Sequence, residues 1–447
     1  MWFKATVYSK NYHPKTANHF PLPLSLPHSK MKTLQLGILR ESKNPPDLRT
    51  PLVPDDCRLL LSRFQGLRIV VQPSSFRCYS DDQYRDAGCL ISEDLSESRL
   101  VLGVKEVDPI QLLPGLAYAF FSHTIKAQPY NRSMMHHMVR EGISLYDYEL
   151  MTDESGRRTV AFGHWAGIVG AWHALRMRCL RNGHGSVPTA AELGSYQGML
   201  DSIPDLPLDA ALFLLCGNGR VGQGALQMLQ AAGVETFQPE QILEFPDKPW
   251  SQIHPKAGLV VLQSKDMVVP KNGGAFVESD YYQTPGDYVS NMAPFLRRAD
   301  VLINTIYWDP RGPRHFEAPD IRHSTFRVSQ IADISCDIEG SVPITTRASR
   351  IDDPYYGISR STLSEIAPWD SNGVDIMAVD NLPCELPREA SHEFSRALLQ
   401  HFITPYVEES LSSGLGEPQQ SLLSRARLLE QGRLHPNQAH LASYAAL

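Results

Sequence analysis

The stretch Leu214-Leu215-Cys216-Gly217-Asn218-Gly219-Arg220-Val221-Gly222-Gln223-Gly224-Ala225 decides the fold. The apolar run that ends at Leu215 reads as a strand, and the apolar-periodic segment over 221–231 reads as a helix. Between them Gly217, Gly219 and Gly222 satisfy GxGxxG. Glycines there permit a tight turn and let backbone N–H groups approach a pyrophosphate at the helix N-terminus. The pattern alone is weak, but the strand before it and the helix after it make it a dinucleotide-binding turn. Arg220, Val221 and Gly224 fall in the same turn and are candidate cofactor contacts. An acid that holds the adenosine ribose is expected about twenty residues further on. Glu235 lies mid-strand, Gln238 takes the expected strand end, and Glu240 follows. That missing acid leaves the cofactor as NADP or NAD, with Arg220 a candidate for an extra phosphate.

Working outward, strands are expected over 34–39, 67–71, 100–104, 117–121 and 144–148, alternating with helices over 55–64, 81–88 and 129–141. A long helix over 162–179 carries Gly163, Gly167 and Gly170 on successive turns, which allows close helix packing. Further strands are expected over 259–262, 301–305 and 328–334, a long helix over 385–411, and a tail helix over 419–431. The fold class is therefore α/β, with two Rossmann-like domains and an active-site cleft between them. The substrate domain is expected to be discontinuous, 31–163 plus 370–447, around a dinucleotide domain over 164–369. Residues 1–30 hold four lysines and no acid, and read as a disordered or overlong N-terminal extension.

With 447 residues, 42% hydrophobic and 20% charged, the chain is long enough for two cores. A net charge of −7 argues against a general nucleic-acid binder. No apolar run is long enough for a membrane helix. Seven scattered cysteines without a CxxC pair argue against structural zinc and a disulfide scaffold, and point to a reducing, cytoplasmic setting. The histidines show no ligand spacing, so no metal is expected.

Charged groups gather where open α/β sheets keep their ligands, at the carboxyl ends of strands. Lys105 and Glu106 follow one strand, and His123 and Lys126 another. Together they supply an acid/base pair and a cation. Arg49 in the first βα loop, and Arg157 and Arg158 beside the turn at 153–156, are candidates for clamping carboxylates. Asp333 and Asp337 bracket Ser335-Cys336 after a later strand.

The strings LGILRE (36–41), LGVKE (102–106), AFFSHTIKAQ (119–128), YDYELM (146–151), GRRTVAFGHWAG (156–167), IADISCDIEGS (331–341) and VDNLPCELPREAS (379–391) occur in order with the glycine cluster. In this the chain resembles the saccharopine dehydrogenase and lysine–ketoglutarate reductase family, which shares the architecture of alanine dehydrogenase. The reductase branch is the nearer likeness. The resemblance implies an NAD(P)-dependent oxidoreductase that condenses L-lysine with 2-oxoglutarate, or runs the reverse. It matches Lys105 and His123 to the catalytic pair, Glu106 and Glu149 to acids tuning their charge, and Arg49 and Arg158 to carboxylate-binding arginines. Lys126 matches a cation of the same pocket, and Asp333 or Asp337 an aspartate segment facing the cofactor. The alternatives are the NAD-dependent lysine-forming dehydrogenase, an opine-type enzyme with another amine, and a dinucleotide-binding regulatory pseudoenzyme. The expected partners are an amino acid and a 2-oxo acid, and the tail is a candidate surface for a homodimer. The length leaves no room for a second complete dehydrogenase.

Overall fold

Six segments rich in Val, Ile, Leu and Phe build the first sheet: β1 (Leu34–Ile38), β2 (Leu67–Val71), β3 (Leu90–Ile91), β4 (Leu100–Lys105), β5 (Ala117–Phe121) and β6 (Ser144–Asp147). They run parallel in the order β3-β2-β1-β4-β5-β6. Apolar residues fill nearly every position of β4 and β5 because both faces are covered. The computed structural model describes residues 33–42, 46–413 and 421–446, all within one unit, Thr33–Leu447. The expected extension over 1–30 lies outside the described residues.

The second sheet comprises β7 (Leu212–Cys216), β8 (Glu235–Phe237), β9 (Gly258–Leu262), then after the hairpin β10 (Val268–Pro270) and β11 (Tyr288–Ser290) the strands β12 (Val301–Asn304), β13 (Gln330–Asp333), β14 (Tyr355–Ser359), β15 (Glu365–Ile366) and β16 (Gly373–Met377). Their order is β15-β14-β16-β13-β12-β7-β9-β8. The helix Gly163–Arg181 packs its buried face into the core of this lobe with β7, β12 and the helix Arg220–Ala231. Two glycines set the approach of those helices. A Cβ at Gly167 would lie 1.9 Å from the carbonyl oxygen of Val221, and one at Gly224 would lie 2.0 Å from that of His164.

Three expectations are corrected. The chain returns to the first lobe later than residue 370, because β16 pairs with both β13 and β14 and completes the second sheet. The return is made by the helix Pro387–Leu398, whose Ser391 and Ser395 hydroxyls accept the backbone N–H groups of Thr50 and Val53 at 3.0 and 3.1 Å. The helical run expected over 385–411 carries a π-helical turn at Leu399–Ile403. The expected tail helix stops at Ala426; β17 (Arg427–Glu430) then pairs antiparallel with β6, and β18 (Arg433–Leu434) pairs antiparallel with β17 at the edge of the first sheet. The turn explains this: Gln431 and Gly432 have φ of 48° and 77°, the paired positive values of a tight hairpin.

Candidate functional site

The carboxyl ends of β1, β4, β5 and β6 converge on one edge of the first sheet, and there the charged groups meet. Lys105 closes β4. Its backbone N–H, with that of Val104, donates to the buried carboxyl of Glu41 at 3.0 and 2.7 Å. Burial, with Asp47 nearby, pushes the Glu41 carboxyl up to about 8. Two residues past β5, His123 takes a left-handed backbone, φ 51°, rare for a residue with a side chain. That conformation accompanies an imidazole Nδ1 2.7 Å from Glu106 Oε2 and a ring stacked on Phe121. Next to this pair, burial raises Asp147 to about 6 despite hydrogen bonds from Ser122 and the Glu149 N–H. Glu149 in turn receives Arg158 at 2.7 Å.

Arg49 departs from its expected role. It is buried, with Nε and Nη2 donating to the two carboxylate oxygens of Asp47 at 2.9 and 2.6 Å. Its guanidinium lies 4.1 Å from the Phe162 ring centroid, and the Cys384 thiol reaches Asp47 at 3.3 Å. Burial pushes Asp47 upward, but the Arg49 guanidinium more than offsets this and holds the carboxyl well below its usual range. Arg49 thus spends its bidentate geometry on Asp47, behind the cleft. Arg157 is also displaced: it is 82% exposed and pairs with Asp153 in the turn.

In the second lobe the glycine turn has the expected shape. Gly217 has φ 102°, and a Cβ on Gly222 would lie 2.2 Å from the Gly217 carbonyl oxygen. Gly219 is open, with nothing within 4 Å of a Cβ there. These residues fit a pyrophosphate against the N-terminus of the helix Arg220–Ala231. A cavity of about 270 Å³ sits over Gly217 and Gly219, walled by Ser264, Tyr282 and Tyr307. Three expected cofactor contacts lie elsewhere. Gly224 is spent on helix packing. Arg220 turns its guanidinium to the Arg158 carbonyl oxygen at 3.1 Å. Asp333 is buried inside the lobe, where Asn304, Ser335 and Thr345 donate to its carboxylate at 2.8, 2.7 and 2.6 Å. Burial raises the Asp337 carboxyl, and the Lys126 ammonium opposes this.

Gln238 is displaced by strand order. It ends β8, which lies at the sheet edge, separated from β7 by β9. On that side of β7 the paired strand is β9, in the register Cys216↔Leu262, so the chain leaving the neighbouring strand is Gln263-Ser264-Lys265. Ser264 lines the cavity over the turn. No spacing rule finds this, because β8 comes first in the chain and looks like the partner. Glu41, Asp47 and Asp147 join the site without a signal in the sequence, since nothing local says that a carboxylate turns inward to a neighbouring strand or loop.

The lobes meet where Lys126, on the loop that carries His123, places its ammonium 5.9 Å from the Tyr307 ring centroid. A second cavity of about 550 Å³ joins Asp47 and Lys105 of the first lobe to Arg350, Asp380 and Cys384. In this way the ends of two largely parallel sheets face a shared space.

Two parallel-rich lobes, one with a glycine turn, define the architecture of alanine dehydrogenase. An L-alanine dehydrogenase structure superposes with a TM-score of 0.61 at 18% identity, over 92% of this chain and 100% of that one. The transhydrogenase from Sinorhizobium meliloti gives 0.56 at 14% identity, over 90% and 99%. Residues 37–169 match the alanine dehydrogenase/PNT N-terminal domain. Among curated proteins, the chain is 34% identical over 402 residues to alpha-aminoadipic semialdehyde synthase of Arabidopsis thaliana, covering 81% of this chain and 37% of that protein. It is 30% identical to the mitochondrial alpha-aminoadipic semialdehyde synthase of Rattus norvegicus, covering 86% and 44%. It is 25% identical to the NAD(+), L-lysine-forming saccharopine dehydrogenase of Yarrowia lipolytica, covering 81% and 89%. Its homologues are thus the alpha-aminoadipic semialdehyde synthases and the saccharopine dehydrogenases, on an alanine dehydrogenase/PNT N-terminal domain. It spans less than half the length of the synthases it matches.

Proposed function

We propose that the chain is a nicotinamide-dependent oxidoreductase acting on the C–N bond of a saccharopine-like secondary amine, joining L-lysine to 2-oxoglutarate or running the reverse. One observation carries this reading: the loop bearing His123 also bears Lys126, which lies against Tyr307 in the wall of the cavity over the glycine turn. The likeness to the semialdehyde synthases and saccharopine dehydrogenases supports it. The backbone of Gly217, Gly219 and Gly222, with the amides of Arg220 and Val221, would hold the dinucleotide, which supplies or accepts a hydride when bound.

The protein's own groups manage orientation and protons. Arg158 and Lys126 orient substrate carboxylates, which lowers the entropic cost of alignment. His123, held by Glu106, takes a proton from the attacking amine and returns one to the leaving water, while Lys105 stabilises charge on the carbonyl oxygen. Loss of water from the carbinolamine gives the imine that is reduced. Glu149 and Asp147 act by setting the local charge. Arg49 acts as a positioning residue, through Asp47.

We propose NADP as the preferred cofactor. The segment Gln263-Ser264-Lys265 offers a hydroxyl and an ammonium, and the carboxylate of the following Asp266 is taken up by the Gln263 N–H at 2.8 Å, an arrangement suited to a ribose phosphate rather than a bare ribose. A cytoplasmic setting is consistent with seven free thiols. No helix among the described residues is long and apolar enough to cross a membrane.

The test is a screen of 2-oxoglutarate with lysine, ornithine and arginine, run with NADH and NADPH, beside Lys105→Met combined with His123→Gln. Lysine-dependent oxidation of NADPH is expected in the parent. The double variant is expected to lose turnover while binding NADPH in a fluorescence titration. Parental turnover in the variant rejects the assigned roles. Dinucleotide binding without amine-dependent oxidation in the parent would make the chain a regulatory binder.

A further inference from the structure

A further cavity lies apart from the cleft. It holds about 580 Å³, a volume ordinary for small-ligand sites, and lies in the second lobe. Leu296, Phe316 and Phe326 give it an apolar wall. Its mouth carries Lys271, Arg297, Arg311 and Arg314 against Glu317 and Asp320. Arg311 is taken up by Asp309 at 2.6 Å, and Arg314 faces Glu317 at 3.4 Å. Lys271 spends one of its donors on the Gly286 carbonyl oxygen at 2.5 Å. Arg297 is exposed, and its guanidinium has no hydrogen-bond partner among the described residues. An apolar wall under an excess of cations selects an organic anion: the carboxylate takes the guanidinium and the body takes the wall.

A second observation connects this cavity to the glycine turn. His315, buried in its wall, holds Asn304 Oδ1 at 2.9 Å. Asn304 ends β12, and the next residue, Thr305, donates its hydroxyl to the Cys216 carbonyl oxygen at 2.6 Å, beside Gly217. The segment over 305–317 also separates the two spaces. Tyr307 and Asp309 line the cavity over the turn, while Arg311 and Gly312 line this one.

We propose that the 580 Å³ cavity is an effector site for a small carboxylate on an apolar body, coupled to the dinucleotide site through His315, Asn304 and Thr305. The coupling rests on the dinucleotide reading of the glycine turn, whereas the site itself does not. A ligand there braces the segment over 305–317 and so changes how the turn receives a dinucleotide. Linkage then requires the dinucleotide to change the effector's affinity by the same factor.

The test is calorimetric titration of the full chain with 4-phenylbutyrate, with its neutral amide and acetate as controls. Saturable binding of one 4-phenylbutyrate per chain is expected, with both controls at least about tenfold weaker, the size of one charged hydrogen bond or a buried apolar body. Arg297→Glu is expected to weaken it by about tenfold as well, converting about 1.4 kcal/mol, with melting temperature and turnover unchanged. NADPH affinity with and without 4-phenylbutyrate should shift by the reciprocal factor. Failure of saturable binding at millimolar ligand overturns the site, as does binding indifferent to Arg297→Glu. Binding that leaves NADPH affinity unchanged overturns the coupling. Absence of NADPH binding beside intact 4-phenylbutyrate binding overturns the coupling and the reading of the turn, and leaves the site supported.

Discussion

Glu41 shows how much a single buried carboxyl governs. Its ordinary value is 4.5, and burial with the nearby Asp47 raises it to about 8 while it accepts the amides of Val104 and Lys105. The sign follows directly. The folded state binds the proton more tightly than the unfolded state, so the stability contributed is fully present below about pH 4.5 and is lost as pH rises towards about 8. Glu41→Gln removes the titration and keeps one acceptor oxygen. The variant's urea midpoint is expected to change less than the parent's between those two pH values. A parental slope retained in the variant assigns the loss to another group; Asp147, raised to about 6 by burial, shifts in the same direction over a lower window. The family strings included Glu41 and Asp147 without showing where either pointed. His123 was legible as a residue type after a strand. Its left-handed backbone and its contact with Glu106 belong to the folded loop.

At the scale of elements, glycine spacing had two meanings that sequence alone did not separate. Gly217 and Gly222 shape the turn, whereas Gly167 and Gly224 let two helices touch backbone to backbone. Gly167→Ala places a methyl where 1.9 Å separates it from a carbonyl oxygen, and is expected to lower stability by about 2–4 kcal/mol, read as a fall in the urea midpoint. Gly222→Ala is expected to cost dinucleotide affinity as well, because the turn itself must open. Equal effects of the two variants on dinucleotide binding count against this division. Strand order carries a second consequence. With β9 rather than β8 beside β7, Ser264→Asp is expected to shift the NADPH-to-NADH preference by at least about tenfold towards NADH, or about 1.4 kcal/mol. Gln238→Asp, at the sheet edge, is expected to leave that ratio unchanged. Initial rates with both cofactors decide it.

For the whole molecule, the layout separates the cores but not the chemistry. One core is built on the first sheet and the helix that returns to it, and the others flank the second sheet. Dinucleotide binding is therefore expected to protect amides of the second lobe, around β7 and the helix Arg220–Ala231, in hydrogen exchange. Protection at β4 and β5 is expected only when amine and 2-oxo acid analogues are added. At a hundredfold excess over Kd, a dinucleotide stabilises the form that binds it by about 2.7 kcal/mol. Uniform protection of both lobes by NADPH alone rejects the separation.

The sequence by itself determined the α/β class, the glycine turn, the parallel strands of the first lobe and the residue types at their ends. These follow from local period and composition, which neighbouring residues carry. Only the tertiary structure decided that Arg49 serves Asp47, that Asp333 is internal, that β9 displaces β8 beside the turn, and that the tail adds a hairpin to β6. Each of these depends on pairing or burial between residues far apart in the chain, where backbone hydrogen bonds and desolvation act and local pattern is silent.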